Sequence, residues 1–219
     1  MTWDSNFALE ILPQILQALA LTILITFLGT AIAMLLGLLL AILRRSRRRL
    51  VSLPAHALVE FVRDTPLLVQ LYFLYFVILP DLRLSFSALV TGIIGIGINY
   101  SAYTAEVYRA GIEGVPRGQW EAARALNFSP GRVWTSVVLP QAIPKVIPAL
   151  GNYLIAMFKD TPILASIGVV EMLQRAELIG SETFRYLEPM TLVGGLFLLL
   201  SYPSSRLLAR LEARFGRAY

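Results

Sequence analysis

Cysteine is absent and histidine occurs once, at His56, so disulfides, thiolate metal sites and Cys/His catalysis are excluded, and no metal centre is expected. His56 precedes Glu60 by four residues in "HALVE", but no second histidine completes a metal motif, and His56 reads as a hydrogen-bonded interfacial residue. No Gly-x-x-x-x-Gly-Lys-Ser/Thr segment occurs, so the chain cannot cradle nucleotide phosphates itself and no cofactor is expected. Charge is also scarce. Charged residues make up 15% of the 219 positions against 57% hydrophobic, with a mean hydropathy of +0.68, far more than one soluble core would use. The composition is that of a membrane protein. Asp4 and Glu10 put acid where a signal peptide would carry Lys or Arg, and no cleavage is expected.

Apolar runs long enough to cross about 30 Å of hydrocarbon as helix lie at about 16–43, 51–79, 84–108, 145–173 and 187–208, leaving a long connection at about 109–144. The whole chain, 1–219, therefore reads as one all-α transmembrane domain with five spans. Positive charge sorts the connections. Arg44, Arg45, Arg47, Arg48 and Arg49 fall on one side with Arg109, Arg117, Arg124, Arg132, Lys145, Arg206, Arg210, Arg214 and Arg217, while only Arg83, Arg175 and Arg185 fall on the other. Cytoplasmic loops retain Lys and Arg, which places the N-terminus outside and the C-terminus in the cytoplasm. The arginine run "RRSRRR" thus marks the inner membrane surface, and nucleic acid is not an expected partner. Trp3 and Phe7 are expected to anchor the short N-terminal stretch at the outer interface. Gly97, Ser101 and Ala105 form a small-residue stripe suited to close helix packing.

Two spans are interrupted by the same tetrad, a basic residue followed by Asp-Thr-Pro: "RDTP" at 63–66 and "KDTP" at 159–162. Pro ends one helix and, with Thr as cap, begins another, so both spans are expected to be broken into halves of about a dozen residues. Irregular backbone at membrane depth is tolerated where it lines a wet cavity, and broken helices in corresponding positions point to a transport site. Arg63 with Asp64, and Lys159 with Asp160, either neutralise each other near the cytoplasmic interface or border a path for a small zwitterion. On the second reading Glu60, Arg63, Asp64, Thr65, Lys159, Asp160 and Thr161 are the pathway residues. Gln70, Asn99, Tyr100 and Tyr103 read as helix-to-helix hydrogen-bonding groups.

The connection at 109–144 is too organised for a simple loop. "GQWEAARAL" reads as a short helix, Asn127 as its left-handed end, and Ser129-Pro130 as the cap and start of a second helix expected to stop before Pro140. The segment "GQWEAARALNFSPGRVWTSVVLPQA" resembles the EAA loop of ABC-type importer permeases, with Glu121, Ala122 and Ala123 opening the motif and Leu139-Pro140 closing it. Asn127 stands where that family usually has Gly. "RDTPLLVQLYF", "NYSAYTAEVYRAGIEGVPRGQ" and "NYLIAMFKDTP" look like the polar amino acid uptake subgroup, over most of residues 15–210. More narrowly, "INYSAYTAEVYRAGIEGVPRGQWEAA" and "RYLEPMTLVG" resemble the permeases of ectoine and hydroxyectoine uptake.

The resemblance implies a type I importer permease fold in a bacterial inner membrane. It implies as partners a cytoplasmic ABC ATPase dimer that binds the ATP, a second permease subunit forming a homo- or heterodimer, and an extracytoplasmic solute-binding protein. The segment 119–140 would then be the coupling helix, with Trp120, Ala123 and Leu126 packed into the ATPase, Glu121 making a polar contact, and Ala122, Asn127, Leu139 and Pro140 completing the motif. Such a chain transports and is not an enzyme. An ion-coupled secondary transporter is the competing class, but five spans with a docking loop fit it poorly.

Overall fold

The computed structural model describes residues 2–216. Among them there is no strand. The first helix, α1 (Ser5–Arg44), is followed by α2 (Arg49–Asp64), α3 (Leu67–Asp81), α4 (Ala88–Glu113), α5 (Arg117–Ala125), α6 (Pro130–Ile167), α7 (Met172–Thr183) and α8 (Leu187–Gly216). Helices α1, α4, α6 and α8 are each long and apolar enough to span a membrane, and α2 with α3, bent by 109° at their junction, are so when taken together, which makes a fifth candidate crossing. Arg217, counted above on the cytoplasmic side, lies outside the described residues.

Helix α1 starts at Ser5, well before the expected boundary, because Asp4 caps it: the Asp4 carboxylate accepts from the backbone N–H of Asn6 at 3.0 Å and Phe7 at 3.3 Å. The N-terminal stretch is therefore part of the first span. Trp3 is exposed, but Phe7 is half-buried beneath the Arg185 guanidinium, 4.3 Å from its ring. Arg185 also pairs with Asp4 at 3.3 Å and Glu188 at 2.6 Å, clamping the outer ends of α1 and α8 together.

Helix α1 lies along α4, and their approach is close because the facing residues are small. Gly97, Ser101 and Ala105 are all buried, as the four-residue stripe predicts. A Cβ on Gly97 would lie 2.7 Å from Ile32 Cγ2, and one on Gly37 would lie 2.8 Å from the Ser101 carbonyl oxygen, so neither site admits a larger residue without moving a helix. Around this pair the core forms four patches, one of them Val59 and Val62 of α2 against Ala102 and Ala105 of α4. Ile15, Met172 and Ala176 fill the outer end, Ile25, Leu71, Ile96 and Met157 the middle, and Val115, Ala123, Val133 and Val138 the cytoplasmic end. The opposite face of α1 exposes Phe27, Leu35 and Ile42, which in a membrane meet lipid.

Two further boundaries depart from the sequence expectation. The second helix of the 109–144 connection does not stop before Pro140; α6 runs from Pro130 to Ile167 through a π turn at Trp134–Val138, followed by α-helix from Leu139 to Asp160. The Leu139 N–H reaches back five residues to the Trp134 carbonyl, and this wider turn relieves the clash that a proline ring makes with the carbonyl four residues earlier. The same device appears in α3, where a π turn at Phe73–Ile78 precedes Leu79-Pro80 and the Leu79 N–H bonds Leu74 O. The second departure is α7, most of which the hydropathy profile leaves in the connection between the fourth and fifth spans. Gly168, at φ 90°, ends α6. The fully buried Glu171 carboxylate then starts α7 by accepting from Leu173 N at 3.0 Å and Gln174 N at 2.7 Å.

Candidate functional site

The junction of α2 and α3 is the most sharply bent point among the spans. Thr65 is extended, at φ −112° and ψ 142°, as the residue before a proline prefers. Its hydroxyl does not cap α3. It donates to Phe61 O at 2.7 Å, closing α2, and α3 begins after Pro66 without a side-chain cap. The freed groups at the break are met by Gln70, whose Nε2 lies 2.8 Å from Val62 O, 3.1 Å from Thr65 O and 2.6 Å from Thr65 Oγ1. The Gln70 carbonyl accepts from Asn99 Nδ2 at 3.1 Å, which ties the break to α4. Gln70 and Asn99 thus make the helix-to-helix bond that their polarity predicts.

The second tetrad behaves differently, correcting the expectation of two broken spans. After Asp160 the chain continues directly into a 3-10 turn, Thr161–Ile167, with Pro162 at its first positions. Thr161 is fully buried and donates to Phe158 O at 2.9 Å, so it too is not an N-terminal cap. The tighter winding lets the chain pass the proline without bending away, since the carbonyl that would lose its helical partner is taken by the threonine hydroxyl.

Between the two tetrads and α4 lies a cavity of about 470 Å3. Arg63, Asp64, Thr65 and Pro66 line one side, Asn99, Tyr100 and Tyr103 the floor, and Tyr153, Ala156 and Asp160 the other side. Of the expected pathway residues, Arg63, Asp64, Thr65 and Asp160 meet there, whereas Glu60, Lys159 and Thr161 do not line it. Lys159 and Glu60 are exposed elsewhere on the surface. No ion pair joins Arg63 to Asp64 or Lys159 to Asp160 among the described residues, so the adjacent charges do not neutralise each other.

Each charged group at the cavity has a different neighbour. Asp160 accepts from the Tyr100 hydroxyl at 2.6 Å. Arg63 sits 5.8 Å over the Tyr103 ring and 3.7 Å from Glu106 Oε1, a long contact that leaves its guanidinium largely uncommitted. Glu106 itself is held firmly by Arg44 at 2.5 Å and Arg109 at 2.7 Å, and Arg44 also donates to His56 Nδ1 at 3.0 Å. His56 is therefore hydrogen-bonded, as expected, within a cluster joining α1, α2 and α4. Tyr100, Tyr103 and Tyr153 form a closed triad with ring centroids 5.8–6.1 Å apart. Tyr153 is a site residue outside the sequence expectations, although a signal for it exists. Asn-Tyr occurs at 99–100 and again at 152–153, the second time about two helical turns before Asp160.

The cytoplasmic segment folds around its own small core. Helix α5 ends in a paired cap in which Phe128 N bonds Ala123 O at 3.1 Å and Asn127 N bonds Arg124 O at 2.9 Å. Asn127 takes φ 57°, the left-handed conformation that Asn tolerates after Gly, so the turn survives without glycine. Ser129 Oγ accepts from Arg132 N at 3.4 Å and Pro130 opens the next turn. Trp120 stacks edge-on against Trp134 at 5.3 Å, and Ala123 is buried with Val115, Val133 and Val138. Glu121, Ala122 and Asn127 are exposed, as is Leu126 at 68%, and Leu139 and Pro140 lie at the exposed edge. Of the three apolar residues expected to pack into a partner, only Leu126 faces fully outward; Ala123 and much of Trp120 hold the segment together.

The model of a family described as "Binding-protein-dependent transport system inner membrane component" matches residues 33–217. A probable amino-acid ABC transporter permease protein of Sinorhizobium fredii is 50% identical over 211 residues, covering 94% of this chain and 91% of that one. A probable amino-acid ABC transporter permease protein of Bacillus subtilis is 35% identical over 185 residues, covering 84% of this chain and 81% of that one. Among solved structures, one described as a crystal structure of an amino acid ABC transporter with histidines superposes with a TM-score of 0.91 at 36% identity, covering 98% of this chain and all of that one.

Proposed function

We propose a substrate path for this chain, which belongs to the family of binding-protein-dependent transport system inner membrane components. Membership makes it a multi-pass inner-membrane permease subunit of an ABC importer with the type I fold, a transport component and not an enzyme. The solute that crosses at the 470 Å3 cavity is a small zwitterion. Its carboxylate would meet Arg63, and its cationic group would meet Asp64 and Asp160 with the tyrosine faces beside them. The observation that carries this reading is that one guanidinium and two carboxylates, Arg63 and Asp64 from α2 and Asp160 from α6, share one cavity without pairing with each other. A polar amino acid fits, in keeping with the relatives named as amino-acid permeases. Ectoine or hydroxyectoine, whose permeases the segments around Asn99 and Tyr186 resemble, is the finer reading and presents the same pair of opposite charges.

Energy enters at the other end. A cytoplasmic ATPase dimer docks on Glu121, Ala122 and Leu126, a second permease subunit completes the pathway, and a binding protein delivers solute from outside. The buried core under α5 and the π turn leading into α6 make the segment a rigid lever, because a push on α5 must move Val138 and hence the helix that carries Asp160. An ion-coupled secondary transporter is not favoured.

Uptake of radiolabelled ectoine by cells expressing the complete system, with glutamine and arginine as competitors, tests the reading with the natural chain and Asp160→Asn. Ectoine uptake that resists amino acids supports the finer assignment, and uptake that favours an amino acid returns the chain to the broader one. Normal transport by the variant would remove Asp160 from the path.

A further inference from the structure

We propose that a second cavity, at the cytoplasmic end of α1, binds the headgroup of an anionic phospholipid of the inner leaflet. The cavity is about 760 Å3 and lies between the end of α1 and the α5–α6 segment. Arg45, Arg47 and Arg124 line it together with Trp120, Trp134 and Phe128, and no Asp or Glu is among its lining residues. The neighbouring arginines make the contrast. Arg44 and Arg109 are both spent on Glu106, whereas Arg45, Arg47 and Arg124 make no ion pair among the described residues. Arg45 rests 5.5 Å over the Trp134 ring, which positions its guanidinium at the cavity mouth without neutralising it. Three uncompensated guanidinium groups around an aromatic floor favour a multiply accepting anion such as a phosphodiester.

The apolar part of the lining identifies the anion as part of an amphiphile. Leu38 and Ile42 of α1 line the cavity and continue an outward face on which Leu35 is 71% and Ile42 61% exposed. That face belongs to a membrane-crossing helix and meets acyl chains, while the arginines one turn further on sit at headgroup level. A soluble partner reaches the arginines but not Leu35. Basic pockets at the cytoplasmic ends of transmembrane helices are suited to acidic headgroups. The bound lipid would bridge α1 to Arg124 of α5, so the anionic lipid content of the membrane would set how firmly the coupling segment is tied to the span behind it.

The test uses the complete transporter, with its ATPase subunits, in nanodiscs of phosphatidylcholine containing phosphatidylglycerol. Native mass spectrometry then counts the retained lipid for the natural chain, for Arg45→Gln with Arg47→Gln, and for Arg45→Lys with Arg47→Lys. The natural chain is expected to retain phosphatidylglycerol over phosphatidylcholine, the glutamine pair to lose about fivefold in preference per arginine removed, and the lysine pair to keep most of it. Equal phosphatidylglycerol retention by the natural chain and the glutamine pair would overturn the proposal. So would a glutamine pair that sheds its ATPase subunits while holding the lipid, which would assign the surface to a protein partner. A lysine pair as poor as the glutamine pair would show that packing and not charge is lost, and would overturn it as well.

Discussion

The tetrads at 63–66 and 159–162 share Asp, Thr and Pro, yet the first turns its chain through 109° and the second lets it run on as a 3-10 turn. Both threonines bond backward to a carbonyl of the preceding helix, so the local hydrogen bond is not what separates them. What differs is the support beyond the proline. At the first tetrad Gln70 gathers the free carbonyls of Val62 and Thr65 and passes the load to Asn99. At the second, no polar side chain plays that part among the described residues, and Thr161 is buried against its own helix. Each following segment then drops a fully buried leucine onto a glycine of α4. Leu71 fills the space over Gly95, where a Cβ would lie 2.5 Å from Leu71 Cδ2, and Leu164 fills that over Gly92, where it would lie 2.6 Å from Leu164 Cδ2. Equal local sequences thus reach one target helix by different routes, and the charges they carry end on different sides. Arg63 and Asp64 both face the cavity, but of Lys159 and Asp160 only the Asp does.

The largest disturbance to this arrangement is expected at Asp160. Asp160→Asn keeps an acceptor for the Tyr100 hydroxyl but removes the charge, and it is expected to weaken solute transport by about 2–4 kcal/mol, about thirtyfold to several hundredfold in uptake. ATPase subunits should still co-purify, which separates lost recognition from lost assembly. Gln70→Leu comes next. It leaves the carbonyls at the bend unmet in a partly buried place and should lower the stability of the subunit by about 1–3 kcal/mol, read as a fall in the thermal unfolding midpoint of the detergent-solubilised complex. Pro162→Ala should have a smaller effect, under about 1 kcal/mol by the same measurement, since the chain already passes Pro162 as helix; Pro66→Ala, by letting α2 run on, should cut uptake about tenfold or more. Lys159→Ala closes the series. With its side chain exposed and away from the cavity, uptake should stay within about twofold of the natural chain. A Lys159→Ala loss as large as that of Asp160→Asn would show that the two tetrads act alike after all.

Much of the cytoplasmic segment is legible from its sequence, because its determinants are local. Asn127 can hold φ 57° where most residues cannot, Ser129 can cap, and Pro130 can only begin a helix. Pro140 misleads for the same reason: local rules make proline a stop, and the π turn that absorbs it depends on Val138 being packed in the core with Val133 and Ala142. Helix α7 escapes a hydropathy reading because its start is set by Glu171, a buried acid acting as cap, and by Met172 N donating to Thr22 Oγ1 at 3.1 Å on a helix 150 positions earlier. Averaged hydropathy carries no trace of either contact. The resemblance to the EAA loop implies a partner-facing role for Trp120 and Ala123, but apolar residues on a short helix fill the nearest core first, and here that core is the segment's own.

Run length and the backbone limits of Asn and Pro are enough to give the helical membrane class, the apolar crossings, the turn at Asn127 and the α2–α3 break, since all of these act within a few residues. Packing between distant helices had to settle the rest: that the second tetrad stays unbent, that Asp160 finds Tyr100 while Lys159 turns away, and that Arg44 is neutralised while Arg45 and Arg47 are not. The fate of a charge or a proline at membrane depth depends on which group from another helix can reach it, and that is a property of the packed bundle.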